Sequence, residues 1–183
     1  MNTIRPRDIP VLLYLAEHPT AAFAQIAESL GISTSTAHSA RRRLVDCGLL
    51  HRIGRNGVGI ARGPMLEFLQ FAVPYIAPAR LIARARGIPT GLAAPVVQAF
   101  ASIAEIDDLV LTDAPPQVWP SHLAGAVLGT GIEPLIPAAP SIAAMDPSLY
   151  RWLALLDVLR SGDVRARAFA RRALAHLVAE LPT

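Results

Sequence analysis

The 183-residue chain contains no lysine; all 17 of its basic side chains are arginine. It has one cysteine, Cys47. That excludes an internal disulfide and any metal site built from several thiolates, and a lone thiol of this kind is expected to pack as a small hydrophobe. Aromatic residues make up only 5% of a chain that is 52% hydrophobic, so alanine carries much of the apolar content. Such a composition suits close helix packing better than a β-sandwich, whose strands favour β-branched and aromatic side chains. An uninterrupted apolar run of about 20 residues, long enough to span a bilayer, is missing. The nearest candidate, residues 123–144, holds Glu133 and three prolines. The opening MNTIRPRDIP lacks the apolar segment of a signal peptide. A cytoplasmic protein with no membrane contact is expected.

Catalytic patterns are missing too. Ser, His and Asp are present without a nucleophile elbow. The stretch GTGIEP at 129–134 lacks the lysine and the spacing of a phosphate loop. His18, His51, His122 and His176 show no ligand spacing with one another or with Cys47. No enzyme, cofactor or metal is expected.

What is present is an uneven charge distribution. Residues 1–86 hold 11 Arg against 5 acids (+6), and residues 87–183 hold 6 Arg against 9 acids (−3). Within 41–62 the count is 6 Arg against 1 Asp (+5). A basic patch confined to one segment points to a polyanionic partner for that segment.

Helical spacing of Val11, Leu12 and Leu15 predicts a helix from Asp8 to His18, closed by Pro19. Thr20 is placed to cap a second helix, whose face is Phe23, Ile26, Ala27 and Leu30. Gly31 makes a tight turn, and Ser33 is an N-cap for a third helix running to about Asp46. Ala37, Ala40 and Leu44 form that helix's inward stripe, and Gly48 ends it in the left-handed conformation. The period then changes. Leu49–Ile53 and Val58–Arg62 read as strands around GRNG, where Asn56-Gly57 is a hairpin signal.

Two short helices, a glycine turn, a third helix and a hairpin describe a winged helix-turn-helix. Its third helix fits the major groove, with base edges near its N-terminal side chains and phosphates near its cations. If Ala37, Ala40 and Leu44 face inward, Thr34, Ser35, His38, Ser39 and Arg42 face outward. Arg41 points sideways toward the first helix, and Arg43 lies close enough to the stripe to pair with Glu17 or Glu28. The stretch LLYLAEHPTAAFAQIAESLGISTSTAHSARRRLVDCGLLHR resembles the winged helix-turn-helix of MarR-type and IclR-type bacterial transcription regulators over residues 8–62. The resemblance implies a recognition helix from Ser33 and a wing after it. The candidate DNA-binding set is Ser33, Thr34, Ser35, Thr36, His38, Ser39, Arg41, Arg42, Arg52 and Arg55. The alternative is that the arginine-rich helix is only a solvated face, with His38 a neutral surface residue. Arg41 departs from the families' pattern, which carries an apolar residue there, and nothing after about residue 75 resembles their further domains.

Residues 63–147 hold 12 of the 16 prolines, which interrupt long helices. Pro64–Val73, Pro78–Arg86 and residues 95–106 read as short helices, LVLTD at 109–113 as a strand, and Ala114–Ala144 as loops and short extended pieces. Arg80, Arg84 and Arg86 read as cations at a helix C-terminus or as an extra phosphate grip. Asp146-Pro147 caps a helix carrying Leu149, Trp152, Leu153, Leu156 and Leu159; Gly162 breaks it, and Asp163 caps a last helix to about Glu180. Trp119, Tyr150 and Trp152 read as core or interface anchors. Leu155 and Val158 lie off the main stripe and suggest a second partner surface.

The expected fold is therefore mainly α. Residues 1–62 form the winged helix-turn-helix, and residues 63–183 form a mostly helical regulatory, dimerisation or partner-binding part ending in an αα-hairpin. The expected function is a sequence-specific, double-stranded-DNA-binding regulator, a homodimeric repressor. The rival is an antitoxin-like or adaptor protein whose residues 63–183 bind a partner protein.

Overall fold

A computed structural model describes residues 3–54, 57–100 and 115–182. The N-terminal order is α1 (Asp8–Glu17), α2 (Phe23–Leu30), α3 (Thr34–Asp46), β1 (Leu50–Ile53) and β2 (Gly57–Ile60). The two strands pair antiparallel from Leu50 opposite Ile60 to Ile53 opposite Gly57. This is the expected winged helix-turn-helix. The start of α2 differs: its N-cap is Ala22, not Thr20, and the Gln25 side chain accepts the Ala22 N–H at 2.8 Å.

The chain continues with α4 (Arg62–Glu67), a π-turn (Phe68–Ala72) and α5 (Val73–Ile76). Pro74 has no N–H to bond the carbonyl of Gln70, which is the sort of lost bond that widens a helix locally. Then follow β3 (Leu81–Pro89), a 3₁₀ turn (Gly91–Ala93), α6 (Pro95–Gln98), β4 (Gln117–Pro120), β5 (Val127–Ile132), α7 (Ala139–Met145), α8 (Pro147–Ser161) and α9 (Val164–Glu180).

Three expectations for this half are corrected. Residues 81–89 are a strand, not the end of a helix from Pro78 to Arg86. Arg84 and Arg86 alternate with Ala83, Ala85 and Gly87, a period of two, and antiparallel pairing of β3 with β4 and β5 overrides the helix propensity of the alanines. Arg84 and Arg86 are therefore exposed on a strand and do not close a helix. Among residues 115–144 the expected short extended pieces are β4 and β5, but Ala139–Met145 is a helix, α7, where loop or extended chain was expected. β4 and β5 also pair with each other, parallel, so the three strands close on themselves. Closure brings backbones together: a Cβ at Gly87 would collide with the Trp119 carbonyl, and one at Gly129 with that of Pro116. In the stretch expected as a helix over 95–106, only α6 falls among the described residues. LVLTD lies outside them.

The third correction concerns the αα-hairpin. Asp146 and Asp163 cap α8 and α9 as expected, accepting from Leu149 N at 2.9 Å and Ala166 N at 2.8 Å. But Leu155 is 0% and Val158 2% exposed, so they form no partner surface. α8 is enclosed by α1, α5, α6, α7 and α9, and a helix apolar on all sides is a buried one. α1 is equally enclosed; it packs on α2 and α3 and also on α8. One core thus runs from the winged helix into the C-terminal half.

A buried polar network fastens the strands to α8. Asp157, 1% exposed, accepts from Thr90 Oγ1 at 2.8 Å, Trp119 Nε1 at 2.7 Å and Arg160 Nη1 at 2.6 Å. Burial pushes the Asp157 carboxyl up from its ordinary range, against the pull of Arg160 and the hydrogen bonds. Arg160 also donates to the carbonyls of Ala77, Pro78 and Glu133, and Tyr150 donates to the carbonyl of Pro89. Trp152 Nε1 donates to Glu17 at 2.6 Å, joining α8 to α1.

Candidate nucleic-acid interface

The site begins with the cap of α3. Ser33 Oγ accepts the Thr36 N–H at 3.1 Å and lies 3.0 Å from Ser35 Oγ and 2.8 Å from Thr36 Oγ1. Four orphan amides at a helix start need such partners. At the other end, Gly48 adopts φ +76°, the left-handed value that closes the helix.

Ala37, Ala40 and Leu44 are each 0% exposed. The opposite face, with Ser33, Thr34, Ser35, His38, Ser39 and Arg42, is exposed, and Thr36 is half-buried between the two. Arg42 Nε stands 3.9 Å from Asp46 with both side chains in water, a contact worth little, so the guanidinium stays available.

The three consecutive arginines have three different environments. Arg43 forms a bidentate pair with Asp8, at 2.7 and 2.6 Å, where the sequence suggested Glu17 or Glu28. Asp8 is 0% exposed at the start of α1. Its hydrogen bond holds the Arg43 guanidinium above its ordinary pKa. Arg41 does not turn toward α1 either. Its guanidinium lies 5.2 Å from the centroid of Phe23 on α2 and donates to the Gly57 carbonyl of β2 at 3.2 Å. Burial and then the charge of Arg52 lower its pKa. His38 packs on the other part of Phe23, with centroids 5.0 Å apart. Phe23 thus aligns α2 and α3, and Arg41 ties α3 to the wing. The second tie of the wing is Val58 N donating to Pro19 O at 3.0 Å.

Arg52 is exposed on β1, beside Arg41 in charge terms, with no ion pair among the described residues. Arg55 lies outside the described residues. The structure therefore gathers the outward residues of α3 and the β1 arginine at one edge, and assigns Arg41 and Arg43 mainly to holding that edge together. Cys47, expected in the core, is exposed just after α3. Sequence reasoning missed Arg62, whose guanidinium donates to the carbonyls of Ala179 and Leu181 and anchors the end of α9 behind the wing.

Residues 3–59, from the approach to α1 through β2, match the model of the MarR family. Over these residues the chain is similar to a MarR-type winged helix-turn-helix domain. No curated protein and no solved structure gives a significant match to the chain. The MarR-type domain supports a DNA-binding transcription regulator, a class of regulators rather than enzymes. Among the described residues, no helix is long and apolar enough to cross a membrane.

Proposed function

We propose that the chain is a sequence-specific, cytoplasmic DNA-binding regulator that acts as a dimeric repressor, with residues 1–62 reading DNA and residues 63–183 serving dimerisation or regulation. The observation that carries this reading is the capped α3, whose outward Thr34, Ser35, His38, Ser39 and Arg42 stand beside a wing bearing Arg52. Short hydroxyls and an imidazole at the start of α3 suit base edges, and Arg42, Arg52 and Arg55 suit phosphates. The hydroxyls of Ser33 and Thr36 also serve the cap, which leaves them reach to phosphate rather than to bases. Arg41 contributes by fixing the wing. A two-fold dimer would read half-sites about one helical turn apart.

The test is duplex binding over a range of salt. Wild type should bind a fragment of its own upstream region, and Arg42→Ala should lower the log–log salt slope by about 0.9. No binding by wild type, or an unchanged slope for both Arg42→Ala and Arg52→Ala, defeats the proposal.

A second reading, an antitoxin-like or adaptor protein that binds a partner through residues 63–183, is favoured by one feature. Tyr75 is 84% and Phe71 54% exposed beside Arg167 and Arg171 in a cleft of about 350 Å³. Aromatic and arginine side chains are the usual anchors of protein interfaces. A stable heteromer in co-purification, lost on Tyr75→Ala, supports it, and a homodimer alone counts against it.

A further inference from the structure

The first half of α9 reads VRARAFARR over 164–172, with four arginines and no acid. Arg165, Arg167, Arg171 and Arg172 are all exposed, while Ala166, Phe169 and Ala170 face the core. Cations suit the C-terminus of a helix rather than its start, so the helix dipole works against Arg165 and Arg167. Among the described residues Arg165, Arg167 and Arg171 form no ion pair. The result is an unneutralised positive surface, carried by a different element from the arginines of α3 and the wing.

Two of these arginines border an aromatic cleft. Phe71 of the π-turn, Pro74 and Tyr75 of α5, and Leu159 of α8 line it together with Arg167 and Arg171, which lie one helical turn apart on α9. Gln70 Nε2 donates to the Arg171 carbonyl at 2.9 Å and ties the π-turn to α9. The Arg171 guanidinium lies 5.0 Å from the Phe71 ring centroid. A guanidinium stacked on a ring keeps its N–H edge for a planar carboxylate. The volume of about 350 Å³ is at the low end for a binding site and has room for one or two side chains. A nucleic-acid strand needs instead a groove whose cations follow several phosphates.

We infer that this cleft takes an acidic segment of a partner protein, one in which an apolar side chain stands next to carboxylates. The apolar side chain packs on Tyr75 and Phe71, whose exposed rings it removes from water. The carboxylates pair with Arg167 and Arg171, and Arg165 extends the positive surface beyond the cleft. Charge decides the class of partner: a basic segment, or a second copy presenting this same arginine-rich face, would be repelled. The inference rests on the reading that residues 63–183 bind a partner protein, and adds the chemistry of that partner.

Matched fluorescent probes test it by anisotropy with the full chain at fixed ionic strength. The first is a blocked peptide with a central Leu-Phe pair between two Asp-Asp pairs. Its controls carry Asn or Lys in place of Asp, or Ser in place of Leu and Phe, and an oligothymidylate strand tests nucleic acid. The acidic apolar peptide should bind saturably with a Kd of about 100 μM or tighter, and each control about tenfold more weakly or not at all. Arg167→Gln with Arg171→Gln should weaken it about fivefold or more, and Tyr75→Ser should do likewise. All three positions are at the surface, so the thermal midpoint should not move. Arg84→Gln with Arg86→Gln, which removes the same charge from β3, should leave binding unchanged. Absence of saturable binding, equal binding of the Asn peptide or the oligonucleotide, or full affinity after loss of Arg167 and Arg171 overturns the inference. A native heteromer that depends on Tyr75 but not on these arginines overturns the acidic assignment and leaves the partner-protein reading standing. The absence of any heteromer removes that reading, and this inference with it.

Discussion

Replacing Asp157 by alanine should be among the most damaging single changes in the molecule. The carboxylate is 1% exposed and serves three donors, Thr90, Trp119 and Arg160. Removing one partner of a buried ion pair costs about 3–5 kcal/mol, because the remaining charge is left uncompensated. Arg160 keeps its bonds to the carbonyls of Ala77, Pro78 and Glu133, which favours the lower end of that range. The orphaned Trp119 N–H and Thr90 hydroxyl each add about 1 kcal/mol before relaxation. A total near 5 kcal/mol follows, against about 5–15 kcal/mol of stability for a typical domain. With a urea dependence of about 2 kcal/mol per molar, the unfolding midpoint followed by circular dichroism should fall by about 2.5 M. Asp157→Asn, which keeps one acceptor oxygen but still leaves the buried Arg160 guanidinium without its counter-charge, should cost about 3 kcal/mol, less than Asp157→Ala. A midpoint for Asp157→Ala within about 0.5 M of wild type, equivalent to about 1 kcal/mol, would refute the view that this network fastens the strands to α8.

Ser33→Ala should cost about 1 kcal/mol of stability by thermal melting, as the loss of an N-cap does. Ser33→Asp should retain the cap and the melting temperature yet bind DNA more weakly, since it adds a negative charge where phosphate is proposed to lie; undiminished binding would exclude Ser33 from the interface. Alkaline unfolding should single out Tyr150, whose pKa burial pushes up from the ordinary 10 to about 12. The folded state favours the neutral phenol, so this contribution is complete below pH 10 and lost as the pH rises from 10 to about 12. Tyr150→Phe should flatten that part of the stability–pH curve; an unchanged slope would show that another group governs it.

Much of the proposed interface was legible because its determinants are local. Ser33 caps the amide three residues on, Gly31 and Gly48 take left-handed backbone, and the stripe Ala37, Ala40 and Leu44 is a matter of helical spacing. The roles of Arg41 and Arg43 were not legible. Adjacent residues on a helix point about 100° apart, so three arginines in a row diverge, and their destinations depend on Phe23, Gly57 and Asp8, which only the packed fold brings near. The sheet was hidden for a related reason: an Ala- and Arg-rich strand such as 81–89 looks helical until strands 30 to 50 positions later pair with it.

Taken alone, the order of residues determined the kinds and ends of the elements in the N-terminal third, the caps of the last two helices, and the concentration of guanidinium groups near one of them. Those depend on bonds spanning a few positions. Tertiary structure decided which arginines stay free in water and which become struts, that α8 is a core helix rather than a partner surface, and that Asp157 is the buried hub of the C-terminal half. Each of these rests on groups far apart in the chain, whose meeting depends on the packing of the whole core.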